Sequence, residues 1–376
     1  MLVDRLPKRR YARFMRILFA LPGLHRVDRG AEVAFISVAS ELARRGDQVT
    51  LIGSGLPRNN QPYRYLQAPV INRERFERWP RLPVFRTETA WEEASFVPGL
   101  LQAYDADDYD VTVTCSYPFT NWVLRSIGGR RRPAHVFVTQ NGDWPAYSGK
   151  AEYRLFGCDG LVCINPDYLE RNKAKYRCAL IPNGVDTERF NPGASERERF
   201  GLPTDKPVIL MVSAMIASKN VDKGIEAVGA LPDATLVVAG DGPLRSELKT
   251  LADEHLPGRY RQITVPADAM PALYRSADAV LHLSQDESFG NLYVESMACG
   301  VPIVAYDSAR TRWILGEEGL LGDPAVPSSI SDALVRALSR TKADRKRLAD
   351  RSKRFEWSGI AGQYRDFFSE VLAAKS

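Results

Sequence analysis

Short apolar runs rich in β-branched residues alternate with amphipathic stretches along this chain, and the whole alternation is made twice. The first pass has β-type runs at 15–20 (MRILFA), 49–53, 109–116, 135–139, 161–165 and 179–181. Between the first two lie a loop over 21–30 and a helical stretch that closes on Arg44, Arg45 and Gly46. A turn at Pro182-Asn183-Gly184 and a polar stretch up to Lys206 then break the pattern. The second pass has β-type runs at 208–213, 234–239, 262–265 and 279–283, separated by helical patterns at 223–231, 243–254 and 270–276. Runs this short and uniformly apolar suit strands buried on both faces, as in parallel sheets joined by crossover helices. The pattern predicts an α/β protein of two doubly wound parallel-sheet (Rossmann-like) domains facing each other across a cleft. The expected domains are 1–185 and 186–356, with an amphipathic helix over 357–376 packing back on the first. A chain of 376 residues is too long for one typical core and fits this division.

The densest chemistry lies at 286–307, DESFGNLYVESMACGVPIVAYD. If Gly290 is the hinge between a loop and a helix, the N–H groups of Phe289, Gly290, Asn291 and Leu292 point out of a helix N-terminus. Partial positive charge there favours a phosphate. Glu295 then sits one turn inside. A carboxylate repels a phosphate placed against it but accepts readily from paired hydroxyls, so a ribose diol is its natural partner. Glu287, just before the helix, reaches a second polyol. In isolation a pair of glutamates at this spacing is more often a pair of solvated side chains. The strand, loop, helix and strand around it weigh against that reading.

The first half carries the basic surface. Residues 1–185 hold 27 Lys and Arg against 19 Asp and Glu, a net +8; the remainder holds 24 against 27, a net −3. The densest patches are 5–16 (RLPKRRYARFMR) and 130–132 (RRR), which suit an anionic membrane surface or a phosphorylated acceptor but no nucleic acid. A solvated terminus explains the first patch equally well. The loop over 21–30 lacks the GxGxxG dinucleotide fingerprint, which argues against a nicotinamide enzyme. Gly30 either lets a ligand approach the backbone at the helix start or simply shapes the loop. Residues 54–105 read as irregular, broken by six prolines including Pro98, with scattered aromatics that face an acceptor or anchor the loop. Gln140, Asn141 and Asp143 follow a strand and are candidate substrate contacts, although Asn-Gly-Asp is also turn chemistry. No run approaches the ~18 apolar residues that cross a bilayer. The five cysteines form no metal pattern. A cytoplasmic protein with reduced thiols, no bound metal and no cofactor is expected, in peripheral contact with the inner membrane surface.

Taken in order, RGAE with ELARRGDQVTLI, IPNGVDTERFNP, VSAMIASKNVDKGIEAV, LVVAGDGPLRSEL, MPALYRSADAVLHLS and ESFGNLYVESMACGVPIVA resemble the retaining glycosyltransferases of family four, which have the GT-B fold. The resemblance is strong over 182–324 and patchier before it. It implies transfer of a sugar from a nucleotide diphosphate sugar to an acceptor, with retention of configuration and no essential metal; the basic surface of the first half suits an acceptor that is lipid-linked or anionic. Carried over, Glu295 binds the donor ribose and Glu287 the sugar hydroxyls. The amides of residues 289–292 contact sugar and diphosphate, and Gly30 closes on the donor from the first domain. Lys219 neutralises the diphosphate, with Lys223 as the alternative match. Two departures stand out. Ala214 occupies a position where the family usually has arginine, and Gln140-Asn141 stand where many members have a histidine. They keep open a nucleotide-sugar binding protein without turnover, and beyond it a sugar nucleotide epimerase of the same architecture.

Overall fold

The computed structural model describes residues 14–128, 132–150 and 153–375. It divides into two compact units, one formed by Met1–Ile181 with Ile360–Ser376 and the other by Pro182–Gly359.

The first unit is built on seven parallel strands: β1 (Arg16–Ala20), β2 (Gln48–Gly53), β3 (Arg64–Gln67), β4 (Val111–Thr114), β5 (Ala134–Val138), β6 (Gly160–Cys163) and β7 (Cys178–Leu180), in the order β3-β2-β1-β4-β5-β6-β7. Ile17, Leu18, Phe19 and Ala20 are all buried, as a strand covered on both faces requires. Some polar members of this core pair within it. Thr114 donates to the Ala20 carbonyl at 2.8 Å. The His135 ring lies between Thr112 (2.9 Å) and the Asn121 amide (3.0 Å), and burial lowers its pKa to about 3, so it is a neutral core residue.

The second unit has six parallel strands: β8 (Val208–Val212), β9 (Thr235–Ala239), β10 (Tyr260–Ile263), β11 (Ala279–His282), β12 (Ile303–Tyr306) and β13 (Leu320–Gly322), in the order β10-β9-β8-β11-β12-β13. Both sheets therefore reverse direction of growth once, between β1 and β4 and between β8 and β11. In open parallel sheets ligands bind beyond the carboxyl ends of the strands flanking such a reversal.

The stretch 54–105 departs from the irregular reading. It contains β3 and a helix over Glu88–Ala103 with Pro98 inside it. An interior proline costs a helix about 3 kcal/mol. Phe96 and Leu100 from the same helix are fully buried, and each contributes roughly 1.5–3 kcal/mol of burial, enough to offset it. The final helix, Trp357–Lys375, packs on the first sheet's unit. Arg365 pairs there with the buried Asp47 at 2.9 Å, and Phe367 and Val371 lie so close to Gly160 that a Cβ would sit 2.6 Å from Val371.

Candidate functional site

Where the second sheet reverses, two loops meet. The loop after β8 carries a short 3-10 turn over Ala217–Lys219, ended by Asn220 with φ +51. Asparagine tolerates this left-handed conformation better than most residues. Its side-chain amide donates to the Leu283 carbonyl at 2.8 Å, tying the loop after β8 to the loop after β11. The result is an ion pair across the junction. Lys219 Nζ donates to Glu287 Oε1 and, at 3.3 Å, to Ser284 Oγ. His282, the last residue of β11, reaches the same Oε1 from beneath, with Nε2 at 3.0 Å. A carboxylate only accepts, so the imidazole proton is on Nε2. Burial works to raise the Glu287 pKa, but the hydrogen bonds and charges of His282 and Lys219 outweigh it and bring the pKa down to about 2. Both contacts converge on Oε1, and Oε2 takes no hydrogen bond from the described residues.

Eight residues of helix, Asn291–Ala298, start directly after this loop. Gly290 caps it at φ +85, and a Cβ there would meet the Tyr293 ring at 2.5 Å, so only glycine fits. There is neither a capping side chain nor an acidic residue in the first turn, which leaves the positive end of the helix unneutralised. The Phe289 side chain is buried between Trp313 and Phe355 and fixes the loop, so only its backbone is available to a ligand. Asn291 Oδ1 accepts from Asn183 at 3.0 Å, and Leu292 is half-buried. Glu295 Oε2 accepts from the buried Tyr274 hydroxyl at 2.8 Å. Burial raises the Glu295 pKa, and the tyrosine partly counteracts it. Oε1 is again without a hydrogen bond among the described residues.

Lys219 and Lys223 can now be distinguished. Lys223 pairs with Glu226 at 2.8 Å, and Lys219 alone of the two touches Glu287. Ala214 is exposed beside them, and Gly240 approaches so closely that a Cβ would lie 2.0 Å from the Ser213 carbonyl. The loop after β9 is thereby pressed against the loop after β8.

In the first unit, Gly30 is the first residue of the helix Gly30–Arg44. Its N-terminus is not open: Glu32 is buried in the first turn, takes its own backbone N–H, and lies against Gly23, where a Cβ would be 2.0 Å from the carboxylate. Gln140 is buried, and its neighbour Asn141 is exposed with its amide 3.8 Å from Cys115 Sγ. These two lie in a turn closed by Gly142 N–H to the Thr139 carbonyl at 3.1 Å. Asp143 is a correction. It was a candidate substrate contact, but it is 2% exposed and both oxygens are taken, by Arg171 at 2.6 and 3.0 Å and Asn172 at 2.8 Å. It anchors the helix Pro166–Asn172 and is buried away from any substrate.

Comparison with known proteins sets this geometry in context. Residues 29–189 match the family described as Glycosyltransferase Family 4, and residues 194–355 the family described as Glycosyl transferases group 1. The lipopolysaccharide core biosynthesis glycosyltransferase LpsE of Rhizobium meliloti is 31% identical over 63% of this chain and 70% of its own length. The chain belongs to glycosyltransferase family 4. A second family relative is the GDP-mannose-dependent alpha-(1-6)-phosphatidylinositol dimannoside mannosyltransferase of Mycobacterium tuberculosis, 35% identical over 48% of this chain. The match spans about half of that relative's length, 49%. Among solved structures, the sucrose-phosphate synthase of Thermosynechococcus elongatus superposes with a TM-score of 0.76 over 96% of this chain and 100% of its own, at 21% identity. That likeness gives this family 4 chain the GT-B fold.

Sequence reasoning did not single out His282, Tyr274, Asn220 or Asn183. Tyr274 and Asn183 act through contacts 21 and 108 residues away, which no local pattern encodes. His282 left one signal: it is the only polar residue in the strand Ala279–His282.

Proposed function

We propose that the chain transfers a sugar from a nucleotide diphosphate sugar to a lipid-linked acceptor, with retention of anomeric configuration and without an essential metal or cofactor. The observation that carries this reading is the convergence of Lys219, the Glu287 clamp and an uncapped helix N-terminus at the point where the second sheet reverses. Departure of a nucleoside diphosphate develops negative charge on its terminal phosphate. A lysine and helix amides aimed at that position stabilise it, which is the service a metal ion performs elsewhere. Lys219 takes this role, and the arriving diphosphate shares or replaces its contact with Glu287. Oε2 of Glu287 then accepts from the sugar hydroxyls. Glu295, with Tyr274 holding one oxygen, offers the other to a ribose hydroxyl. A phosphate oxygen of the departing diphosphate takes the acceptor proton on the face under attack, so no separate protein base is needed. Gln140 and Asn141 are proposed acceptor-side contacts.

The lipid-linked acceptor is supported by the names of two relatives, one acting on a phosphatidylinositol dimannoside and one in lipopolysaccharide core biosynthesis. The decisive experiment pairs a thermal-shift screen of UDP-, GDP- and ADP-sugars with turnover on lipid-linked glycan acceptors and NMR of the product anomer. A stabilising donor and a product of unchanged anomeric configuration are expected. Inverted product, or activity abolished by chelator and restored by a divalent ion, overturns the mechanism. Donor binding without transfer across the panel favours the binding-protein reading that Ala214 motivates.

A further inference from the structure

The stretch 71–86, INRERFERWPRLPVFR, carries five arginines against two glutamates and sits outside the site described above. Its apolar residues are not all inside. Trp79 is 50% exposed, Leu82 46% and Ile71 47%, among the exposed Arg75, Arg78, Arg81 and Arg86. An exposed tryptophan and leucine set among arginines is an unusual use of surface, because large apolar groups on a soluble face are normally scattered singly.

This segment is held in place. Phe76 is buried and packs edge-on against Trp79 at 4.9 Å, and Trp79 packs against Trp91 at 4.8 Å. Phe85 stacks on the same Trp91 at 4.0 Å and touches Phe119 at 5.0 Å. Between these anchors the chain turns sharply. Leu82 and Phe85 exchange both backbone hydrogen bonds, at 3.0 and 3.3 Å, and Val84 is forced to φ +73. A β-branched residue in that region is strained, and such strain persists only where surrounding contacts fix the backbone. The contacts here fix a tip on which Leu82 and Trp79 both stay exposed. Arg73 is drawn inward by Glu92 at 3.5 Å, which leaves Arg75, Arg78 and Arg81 around the apolar tip.

We propose that this tip is a docking surface for an anionic lipid bilayer. The chemistry fits each part: tryptophan favours the interfacial region, leucine the acyl boundary just below it, and arginine the phosphate layer. Among the described residues no helix is long and apolar enough to cross a membrane, so contact of this kind is peripheral. The proposal does not rest on the assignment of the donor site, and it uses residues distinct from the basic stretch at 5–13, which lies outside the described residues.

The test is co-sedimentation of the full chain with phosphatidylcholine vesicles, with and without phosphatidylglycerol, at low and high salt. Binding that requires phosphatidylglycerol and weakens with salt is expected. Replacing Arg75, Arg78 and Arg81 together by Gln weakens it about 100-fold, as the loss of three cations near an anionic surface implies. Leu82→Ser weakens it about tenfold; Leu82 lies at the tip and keeps the fold intact if Trp79→Ser does not. Tryptophan fluorescence shifts to the blue on binding, and the shift is lost in Trp79→Ser. Equal binding to neutral vesicles, or retention of full binding by the triple variant while Arg9→Gln with Arg10→Gln abolishes it, overturns the proposal. So does a change of oligomeric mass in these variants with no vesicle binding by the parent chain, which assigns the tip to a protein contact. Sugar transfer to a soluble acceptor is unaffected in every case, so failure here leaves the proposed reaction standing.

Discussion

The two sheets reverse at equivalent places, yet one buried acid near each reversal, Glu287 in the second unit and Glu93 in the first, is held in an opposite state. In the second unit Glu287 is clamped by His282 and Lys219 and its pKa falls to about 2. In the first unit Glu93 is 2% exposed, and burial raises it to about 8 although the amides of Phe119 and Thr120 and the Ser116 side chain pull it down. Burial raises Glu32, nearby, as well. The difference lies in the partners. A buried acid stays ionised when cations and donors outweigh its desolvation, and takes up a proton when only neutral donors are available. The second edge is therefore equipped with fixed charge for an anionic, hydroxyl-rich ligand. At the first edge burial drives these two acids toward their neutral forms.

The sharpest way to break the comparison is to remove the cation from the second edge. Lys219→Ala is expected to lower kcat by about 10²–10³, the usual loss when one donor to developing charge is deleted, with a much smaller change in donor affinity. Lys223→Ala, whose partner is Glu226, should change neither. Steady-state kinetics on both variants decides the matter, and equal losses would remove the distinction between the two lysines. Glu295→Ala is expected next, weakening donor binding by about 10- to 100-fold, as loss of the acceptor for a hydroxyl pair implies. Calorimetric titration with the donor reads this directly, and Tyr274→Phe should reproduce a fraction of it by freeing the oxygen that Tyr274 holds.

These residues also show how far the chain could be read in advance. The alternation of strands and helices, the break near Pro182, and Gly290 ahead of a helix are local patterns, and each left its mark in consecutive residues. The helix through Pro98 was hidden because local propensity opposes it and only the burial of Phe96 and Leu100 overrides it. Asp143 was misplaced for a related reason. Its neighbours Asn141 and Gly142 advertise an exposed turn, and nothing local reveals that Arg171, 28 residues on, closes over the carboxylate. Glu93 was not singled out because its state depends on the amides of Phe119 and Thr120, supplied by another helix.

Glu93 gives the third test, through stability. Its folded pKa lies above the ordinary carboxylate value, so between about pH 4.5 and 8 the native state binds more protons than the unfolded chain. Stability contributed by this group is whole below that window and declines through it as pH rises. Glu93→Gln keeps an acceptor for Phe119 and Thr120 and cannot ionise. Its stability relative to the parent should rise across the window by about 2 kcal/mol, discounted from the full shift because buried sites relax and admit water. Urea unfolding at several pH values measures it, and parallel curves for the two proteins would show that Glu93 titrates normally.

His282→Leu has the smallest expected effect and the most specific signature. The ring does not reach past Glu287 to the ligand face; it holds Oε1 and so directs Oε2. Without it, Glu287 keeps Lys219 but loses one of the two groups that overcome its burial, and its pKa climbs back from about 2 toward the ordinary range. A depressed carboxylate adds stability above its unfolded pKa and loses it as pH falls through the folded one, so the parent chain should keep its donor affinity nearly to the acid limit of folding. In His282→Leu affinity should fall about tenfold at neutral pH, and its acid limb should move up by about one unit. His282→Gln, whose amide can donate from nearly the same place, should restore most of both. A purely packing role for the buried ring predicts the reverse: leucine would be the better replacement, glutamine the worse, and the acid limb would stay where it was.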